Sequence, residues 1–455
     1  MPLVPSVSSS HAGWRWIACL LAMTATAGVA QAQLTAKSLI GDSVSNPEDP
    51  RYADVAEAIR RFENRDVLSA EKFLEDVKEK NKKLPPVGVM MAKMYAATGN
   101  SASVRPALEK SIDTESEDPE PYLLLAETNL RANQTIEADA LFDKAVSLAE
   151  KYNANPKRKR QLQIRAYSGR AAVAQRRKNW KAAEADIRVW LEQAPDDAAG
   201  LQSLGQVLCM LDQVDEGRKA FVKATEINDK LPNAFVLTAT MLERRGLLTD
   251  AINEFTKAYR EDPKNETTLV TFAQSLVRAG ELEKANKVLK AARDAAPGSF
   301  TVWLLSGVAE RMSGRPEAAE RNLLQALSIQ PGSREAYDQI AQLLANQEDE
   351  GDRKRALQYA LTCSKVFPNS ADVKVTLAWA LYQNGRNREA TNALRNALQT
   401  GGGALSADAR LLVAKLLLAV NQTDNARRLL SSAIANETGI FVQRAEAEEL
   451  LKSLN

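Results

Sequence analysis

The chain has 455 residues, with 60 Lys or Arg against 58 Asp or Glu and aromatics at only 5%. Charges that nearly cancel exclude a global field drawing the whole chain to nucleic acid or to an anionic membrane, so any electrostatic function must be local. The one histidine, His11, lies so near the start that His-based acid–base chemistry, serine triads and His-ligated metals depend on whether that segment is retained.

Residues 1–32 read as a secretory signal. Arg15, with His11, precedes an apolar run from Ile17 to Ala30 that ends in Ala30-Gln31-Ala32, predicting cleavage after Ala32. The run is too short and too rich in Ala, Thr and Gly for a good membrane span, which needs ~20 apolar residues. An uncleaved anchor is the rival reading. Cys19 lies at the start of the run rather than after it, against a lipoprotein anchor. Cleavage would remove the histidine and leave no stable membrane span, since Lys415 interrupts the most apolar later stretch, Leu411 to Val420. Residues 33–50 are expected to form a flexible segment.

From residue 51 the chain repeats. Ala58, Ala92 and Ala126 are 34 apart, and so are Ala171, Gly205, Ala239, Ala273, Gly307 and Ala341, with Ala378 and Ala414 following at slightly longer steps. Twelve residues behind runs a second small series that includes Ala70, Ala138, Ala183, Gly217, Ala251, Ala285 and Ala319. Leu74, Phe142, Phe221, Phe255 and Leu323 mark a large apolar place, and Ala145, Ala224, Ala258, Ala292 and Ala326 another small one. Apolar positions three or four apart within each unit predict amphipathic helices. Gly99, Gly246, Gly280, Gly314 and Gly385 fall where a helix must stop and the chain reverse. Pro263, Pro297 and Pro331 close units at the same spacing. Small residues at a helix crossing let two backbones approach, and stacking of neighbours covers what each hairpin leaves open. Cys209 and Cys363, four repeats apart, are too distant for a bridge and are expected to be small buried apolar residues.

This pattern resembles the tetratricopeptide repeat family, with the unit from Phe300 to Ser333 matching best through Trp303, Gly307, Ala319, Leu323, Ala326 and Pro331. The resemblance implies an all-α, right-handed superhelical solenoid of about eleven antiparallel hairpins. Units 1–3 would span 51–152, a basic insertion 153–163, units 4–11 164–440 and a capping helix 441–455. It also implies that the first helix of each hairpin lines a concave groove. Carried over unit by unit, the groove places hold Glu120, Leu123 and Glu127, then Gln202 and Gln206, Thr240, Gln274, and finally Val375, Trp379 and Tyr382. The last two are aromatics one turn apart on a face expected to be solvated, the usual anchor of a binding site. The family's clamp for a C-terminal carboxylate needs Lys and Asn at set places; Gln202/Gln206, Val236/Thr240 and Val270/Gln274 stand there instead.

The register breaks twice. Between Lys151 and Lys181 there are eleven Lys or Arg and no acid, including Lys157, Arg158, Lys159, Arg160, Arg165, Arg176, Arg177 and Lys178. The run reads either as a docking patch for an anionic partner or as a solvated helix end. Nucleic acid is not expected, because no aromatic stacking series accompanies the charge. Glu348-Asp349-Glu350 with Asp352 and the acidic stretch Asp113–Glu120 lack calcium-loop spacing and read as loops with N-caps. No metal or cofactor and no catalytic residue are expected. The expectation is an exported, non-catalytic scaffold, periplasmic or secreted, of the bacterial periplasm or cell envelope, that holds a protein or peptide in its groove. An anionic polysaccharide is the alternative partner, in export or envelope assembly.

Overall fold

A computed structural model describes residues 34–41, 50–399, 405–435 and 439–454. The signal sequence read in residues 1–32 lies outside them, and no described helix is long and apolar enough to cross a membrane. The described residues form 24 helices and no strand. A short α1 (Ala36–Ile40) precedes eleven consecutive helix pairs. The first three pairs are α2 (Pro50–Glu63) with α3 (Val67–Lys80), α4 (Val87–Ala97) with α5 (Ser101–Thr114), and α6 (Glu120–Arg131) with α7 (Thr135–Lys151). Next come α8 (Pro156–Arg176) with α9 (Trp180–Gln193), α10 (Ala198–Met210) with α11 (Val214–Ile227), and α12 (Ala234–Arg244) with α13 (Leu248–Glu261). Then follow α14 (Glu266–Arg278) with α15 (Leu282–Ala295), α16 (Phe300–Met312) with α17 (Pro316–Ile329), and α18 (Arg334–Ala345) with α19 (Glu350–Val366). The last pairs are α20 (Ala371–Gln383) with α21 (Asn387–Gln399) and α22 (Ala407–Leu418) with α23 (Thr423–Ile434), after which α24 (Arg444–Ser453) ends the array. Contacts divide the chain into two compact parts at Met241–Leu242, inside α12.

Ten of the eleven hairpins turn through a left-handed residue. Two residues past the first helix the backbone is left-handed at Gly99, Gly246, Gly280, Gly314 and Gly385, as their spacing predicts, and also at Arg65, Asn133, Lys178 and Asp212, with Asn421 one residue later. The amide of the residue after the left-handed one then closes back on the helix's last turn, as in Glu281 N donating to Leu276 O at 2.9 Å and Arg315 N to Glu310 O at 3.0 Å. That pairing satisfies carbonyls a helix end leaves orphaned. In the ninth pair, where the acidic insertion falls, Asp349 instead caps α19 by accepting from Asp352 N at 2.8 Å.

The small residues sit at the crossings. Ala58, Ala126, Ala183, Ala251, Ala285 and Ala319 are fully buried. Between α10 and α11 a Cβ built on Gly217 would stand 2.6 Å from Cys209 Sγ and 2.8 Å from Gly205 O, so only glycine admits that approach. Phe221 fills the adjoining space, and Cys209 and Cys363 are free and buried. Burial pushes the Cys363 thiol up to about 12, which keeps it protonated.

Two boundaries differ from the sequence reading. Part of the segment 33–50 expected to be flexible is α1, capped reciprocally by Thr35 and Ser38. Its Leu39 and Ile40 are buried with Val55 and Met90, because the first hairpin would otherwise leave that apolar face open. Nor is 153–163 an insertion set apart from the fourth hairpin: from Pro156 it is the start of α8, a 21-residue helix capped by Asn155 and opened by Pro156.

The left-handed turns give a paired test. Gly280 has φ +75° with nothing within 4 Å of a Cβ, so Gly280→Ala should cost about 1 kcal/mol through backbone strain alone. Lys178, at φ 58°, should gain stability by a similar amount as Lys178→Gly. Denaturant unfolding of the two variants reads both signs.

Candidate partner-binding groove

The first helices carry two different charge arrangements. In the N-terminal part, Glu120 at the start of α6 is buried among three cations from neighbouring hairpins. Lys93 lies 2.8 Å away, Arg158 2.8 Å and Arg165 3.6 Å. Arg158 is itself buried, with Asp118 at 2.7 Å, the Tyr152 hydroxyl at 2.9 Å and the Tyr152 ring 5.1 Å from its guanidinium. Burial works against the Arg158 charge, yet Asp118 and Glu120 more than offset it and raise its pKa. Arg165 takes Glu127 at 2.8 Å.

The basic run is therefore not the open patch the sequence suggests. Lys159 donates to Asn153 Oδ1 at 2.9 Å, Arg160 to the carbonyl of Gln193, Arg176 to the carbonyl of Leu130 at 2.7 Å, and Arg177 pairs with Asp139. Lys157 and Lys178 are exposed. Its principal counterions are the acids of the third hairpin, Asp118, Glu120 and Glu127, 38–40 residues earlier. Of the predicted groove residues here, Leu123 is fully buried.

Further along, Gln202 and Gln206 on α10 and Gln274 on α14 are half-buried, and Thr240 donates its hydroxyl to Val236 O at 2.8 Å within α12. None of these four lines the cleft of the C-terminal part. There the groove deepens into a cleft of about 520 Å³, lined by Arg311, Leu343, Gln347, Trp379, Gln383 and Lys415, among others, and bounded by Val442, Gln443 and Glu446 of the C-terminal segment. The first helices α18, α20 and α22 pack directly on one another, closing the concave face.

That closure corrects the solvated surface expected around Val375 and Trp379. Val375 is fully buried and Trp379 only 6% exposed, both packed with Leu343, Leu412 and Leu416. The indole donates to Asn346 Oδ1 at 2.9 Å, Tyr382 stacks on it at 5.7 Å between ring centroids, and Lys415 Nζ stands 5.1 Å from its centroid. Trp379 thus forms the wall of the cleft rather than an exposed platform.

The polar side of the cleft escaped the residue-by-residue reading. The same repeat register in hairpins 8 and 11 points to Arg311 and Lys415, and in hairpin 9 to Gln342, which is buried behind the lining. Arg311 donates to Gln339 Oε1 at 2.7 Å, to Gln342 Oε1 at 3.3 Å and to Gln443 Oε1 at 2.9 Å. Asp408 accepts the backbone N–H groups of Val442 at 3.3 Å and Gln443 at 3.1 Å, and Lys415 pairs with Glu446. Behind them burial, helped by the charge of Asp372, pushes Asp338 up to about 7 against a hydrogen bond from Thr376 and the charges of Arg311 and Arg334. Burial likewise raises the Asp408 pKa, although Arg311 and the two backbone donors oppose it.

Tetratricopeptide repeat models match residues 244–307 and 375–439. No curated protein matches the chain. Solved structures similar to it include a tetratricopeptide repeat protein from Parabacteroides merdae ATCC 43184, at 18% identity and TM-score 0.45, covering 56% of this chain and 98% of that one. Yeast Tom70 is 15% identical at TM-score 0.38, covering 88% of this chain and 95% of its own. YrrB, a TPR protein with an unusual peptide-binding site, is 21% identical at TM-score 0.26, covering 50% and 95%. Residues 244–307 and 375–439 match tetratricopeptide repeats, and the hairpins around them share their length, register and turn geometry, so the fold is an all-α tetratricopeptide-type repeat fold, that of a protein–protein interaction scaffold.

The ionic cluster has a pH signature. Burial alone would raise the Glu120 pKa, but Lys93, Arg158 and Arg165 overcome it and hold it at about 2, below the ordinary 4.5. A depressed carboxylate contributes stability that is complete above the unfolded pKa and is lost as pH falls through the folded one. Glu120→Gln should therefore cost roughly 3 kcal/mol at pH 7, at about 1.4 kcal/mol per pKa unit, with the gap to wild type closing between pH 4.5 and 2. Chemical unfolding at stepped pH reads it.

Proposed function

We propose that this chain is a non-catalytic scaffold exported to the bacterial periplasm or cell envelope, where the concave cleft of its C-terminal part holds a segment of a partner protein. The observation that carries this reading is the cleft itself, where the wall of Trp379 and Leu343 faces the polar ends of Arg311, Gln347, Gln383 and Lys415. An apolar wall with a few convergent polar groups is the usual form of a recognition site. Export is supported by Arg15, the apolar run Ile17–Ala30 and the Ala30-Gln31-Ala32 end. Anionic polysaccharide is the weaker reading. Sugar rings stack on exposed aromatic faces, and Trp379 is already covered by Tyr382 and approached by Lys415.

Two measurements test it. Mass spectrometry of protein recovered from the envelope should place the mature N-terminus at Gln33; a chain starting at Met1 there would make residues 1–32 an uncleaved anchor, and a chain found only in the cytoplasmic fraction would refute export. Photo-crosslinkers introduced at Gln347 and Gln383, both partly exposed in the cleft, should trap a protein partner in the native envelope, while one at exposed Lys181 should not. Equal labelling at all three positions would place the partner elsewhere.

A further inference from the structure

We propose that the cleft receives a carboxylate of its partner on Arg311, in the place that Gln443 holds in the free chain; this deepens the groove reading and rests on it. Several partly buried arginines elsewhere among the described residues have carboxylates, although Arg293 bonds the Ser306 hydroxyl and Arg410 bonds Ser432. Arg158 has Asp118 at 2.7 Å, Arg170 has Asp186 at 2.7 Å, and Arg278 has Glu243 at 3.1 Å. Arg311 is different. Its hydrogen bonds all end on side-chain amide oxygens, those of Gln339, Gln342 and Gln443. Burial lowers its pKa, and Asp408, Asp338 and Glu446 act on it only through space. A guanidinium in such a site gains most from a carboxylate, which offers two oxygens to its fork and a charge-assisted bond in place of a neutral one.

The seat of that carboxylate is marked by Gln443. This side chain comes from the C-terminal segment, 132 residues after Arg311, and presents its amide oxygen to Arg311 at 2.9 Å while its amide nitrogen donates to Glu446 at 2.7 Å. An amide oxygen stands where a carboxylate oxygen would. Swapping it for a partner's oxygen leaves the main-chain hold of Asp408 on Val442 and Gln443 intact, so the C-terminal helix stays docked. The charge of the lining agrees. Arg311 and Lys415 face the cleft against one acid, Glu446, which Lys415 already pairs. The acids behind the wall are engaged elsewhere: Asp408 with backbone N–H groups and Asp338 with Gln342 at 3.0 Å. The ligand class is therefore a peptide segment bearing an Asp or Glu side chain or a free C-terminus.

The probe is a random heptapeptide library displayed on phage and panned against the whole chain and against its Arg311→Gln variant. Wild type should enrich peptides with Asp or Glu at one fixed position. Synthetic copies with that residue as Gln should bind about tenfold more weakly, and Arg311→Gln should erase that difference. Free-acid and C-terminally amidated copies separate a side-chain from a terminal carboxylate. Gln443→Ala should tighten binding several-fold by vacating the seat. Made in a Glu446→Gln background, so that no second carboxylate faces it, Gln443→Glu supplies the carboxylate in cis and should block the acidic peptides and raise the melting midpoint above that of Glu446→Gln alone. Peptides that bind equally well as Gln, or a midpoint lowered by Gln443→Glu in that background, would overturn the carboxylate assignment while leaving the groove intact. If no peptide is enriched the groove reading fails, and the Gln443→Glu midpoint still decides whether Arg311 accepts a carboxylate.

Discussion

The structure depends on how closely two helices can approach. A hairpin of amphipathic helices buries one face of each helix, and the depth of that burial is set by what stands at the crossing. Alanine or glycine there brings the backbones together, and at Gly205 and Gly217 the approach is so close that a methyl group would collide with a carbonyl oxygen. The space beside each crossing then needs one large side chain, and Phe142, Phe221, Phe255, Leu289 and Leu323 supply it, fully buried or nearly so. Once this geometry is repeated, each hairpin offers its neighbour the same ledge, and the ends must be covered separately. At the N-terminus Leu39 and Ile40 of α1 provide that cover; at the C-terminus Phe441 and Ala447 do so.

The same constraint explains how much of the fold could be read from the residues. Crossing residues cannot vary in size, so their spacing survives in the sequence and marks eleven hairpins. The five turn glycines could be read because a left-handed residue after a helix favours glycine. Asn133, Asp212 and Asn421 fill that conformation with short polar side chains that tolerate it, but Arg65 and Lys178 carry no such mark. Their conformation is imposed by the packing of the helices on either side, and a local reading has no access to that.

Charge was less legible for a related reason. A run of eleven cations stands out along the chain, whereas the acids that neutralise it lie about one repeat earlier and meet it only when hairpins stack. The extra length of α8 is what brings them together, because its first turns carry Arg158 back over the start of α6 to Asp118 and Glu120. Removing one partner of such a buried cluster is costly, since the others are left uncompensated in a poorly solvated place. The basic run, which alone resembled a binding patch, and the acidic stretch around Asp118 and Glu120, which read as a capped loop, are thus two sides of one structural contact. Trp379 misled in the opposite direction. Its repeat place suits a groove residue, but direct packing of α18, α20 and α22 draws Val375 and the indole into the core and leaves the cleft to Arg311, Lys415 and the glutamines around them.

These two outcomes separate the charged residues of the first helices by what they are for. In the N-terminal part, Lys93, Glu120, Glu127, Arg158 and Arg165 satisfy one another across neighbouring hairpins, and the cluster behaves as part of the fold. A cluster already neutral has little electrostatic reason to hold an outside partner, because any new ion pair would first have to break an old one. In the C-terminal part Arg311 makes no direct ion pair: its bonds go to amide oxygens, one of them delivered by the last segment of the chain, and Asp408, Asp338 and Glu446 act on it only through space. An arginine whose charge is opposed by burial and which hydrogen-bonds only neutral groups is poorly explained by stability alone. It is well explained as a position kept open for a charge that arrives with the partner, and the glutamine beside it keeps that position hydrogen-bonded until then.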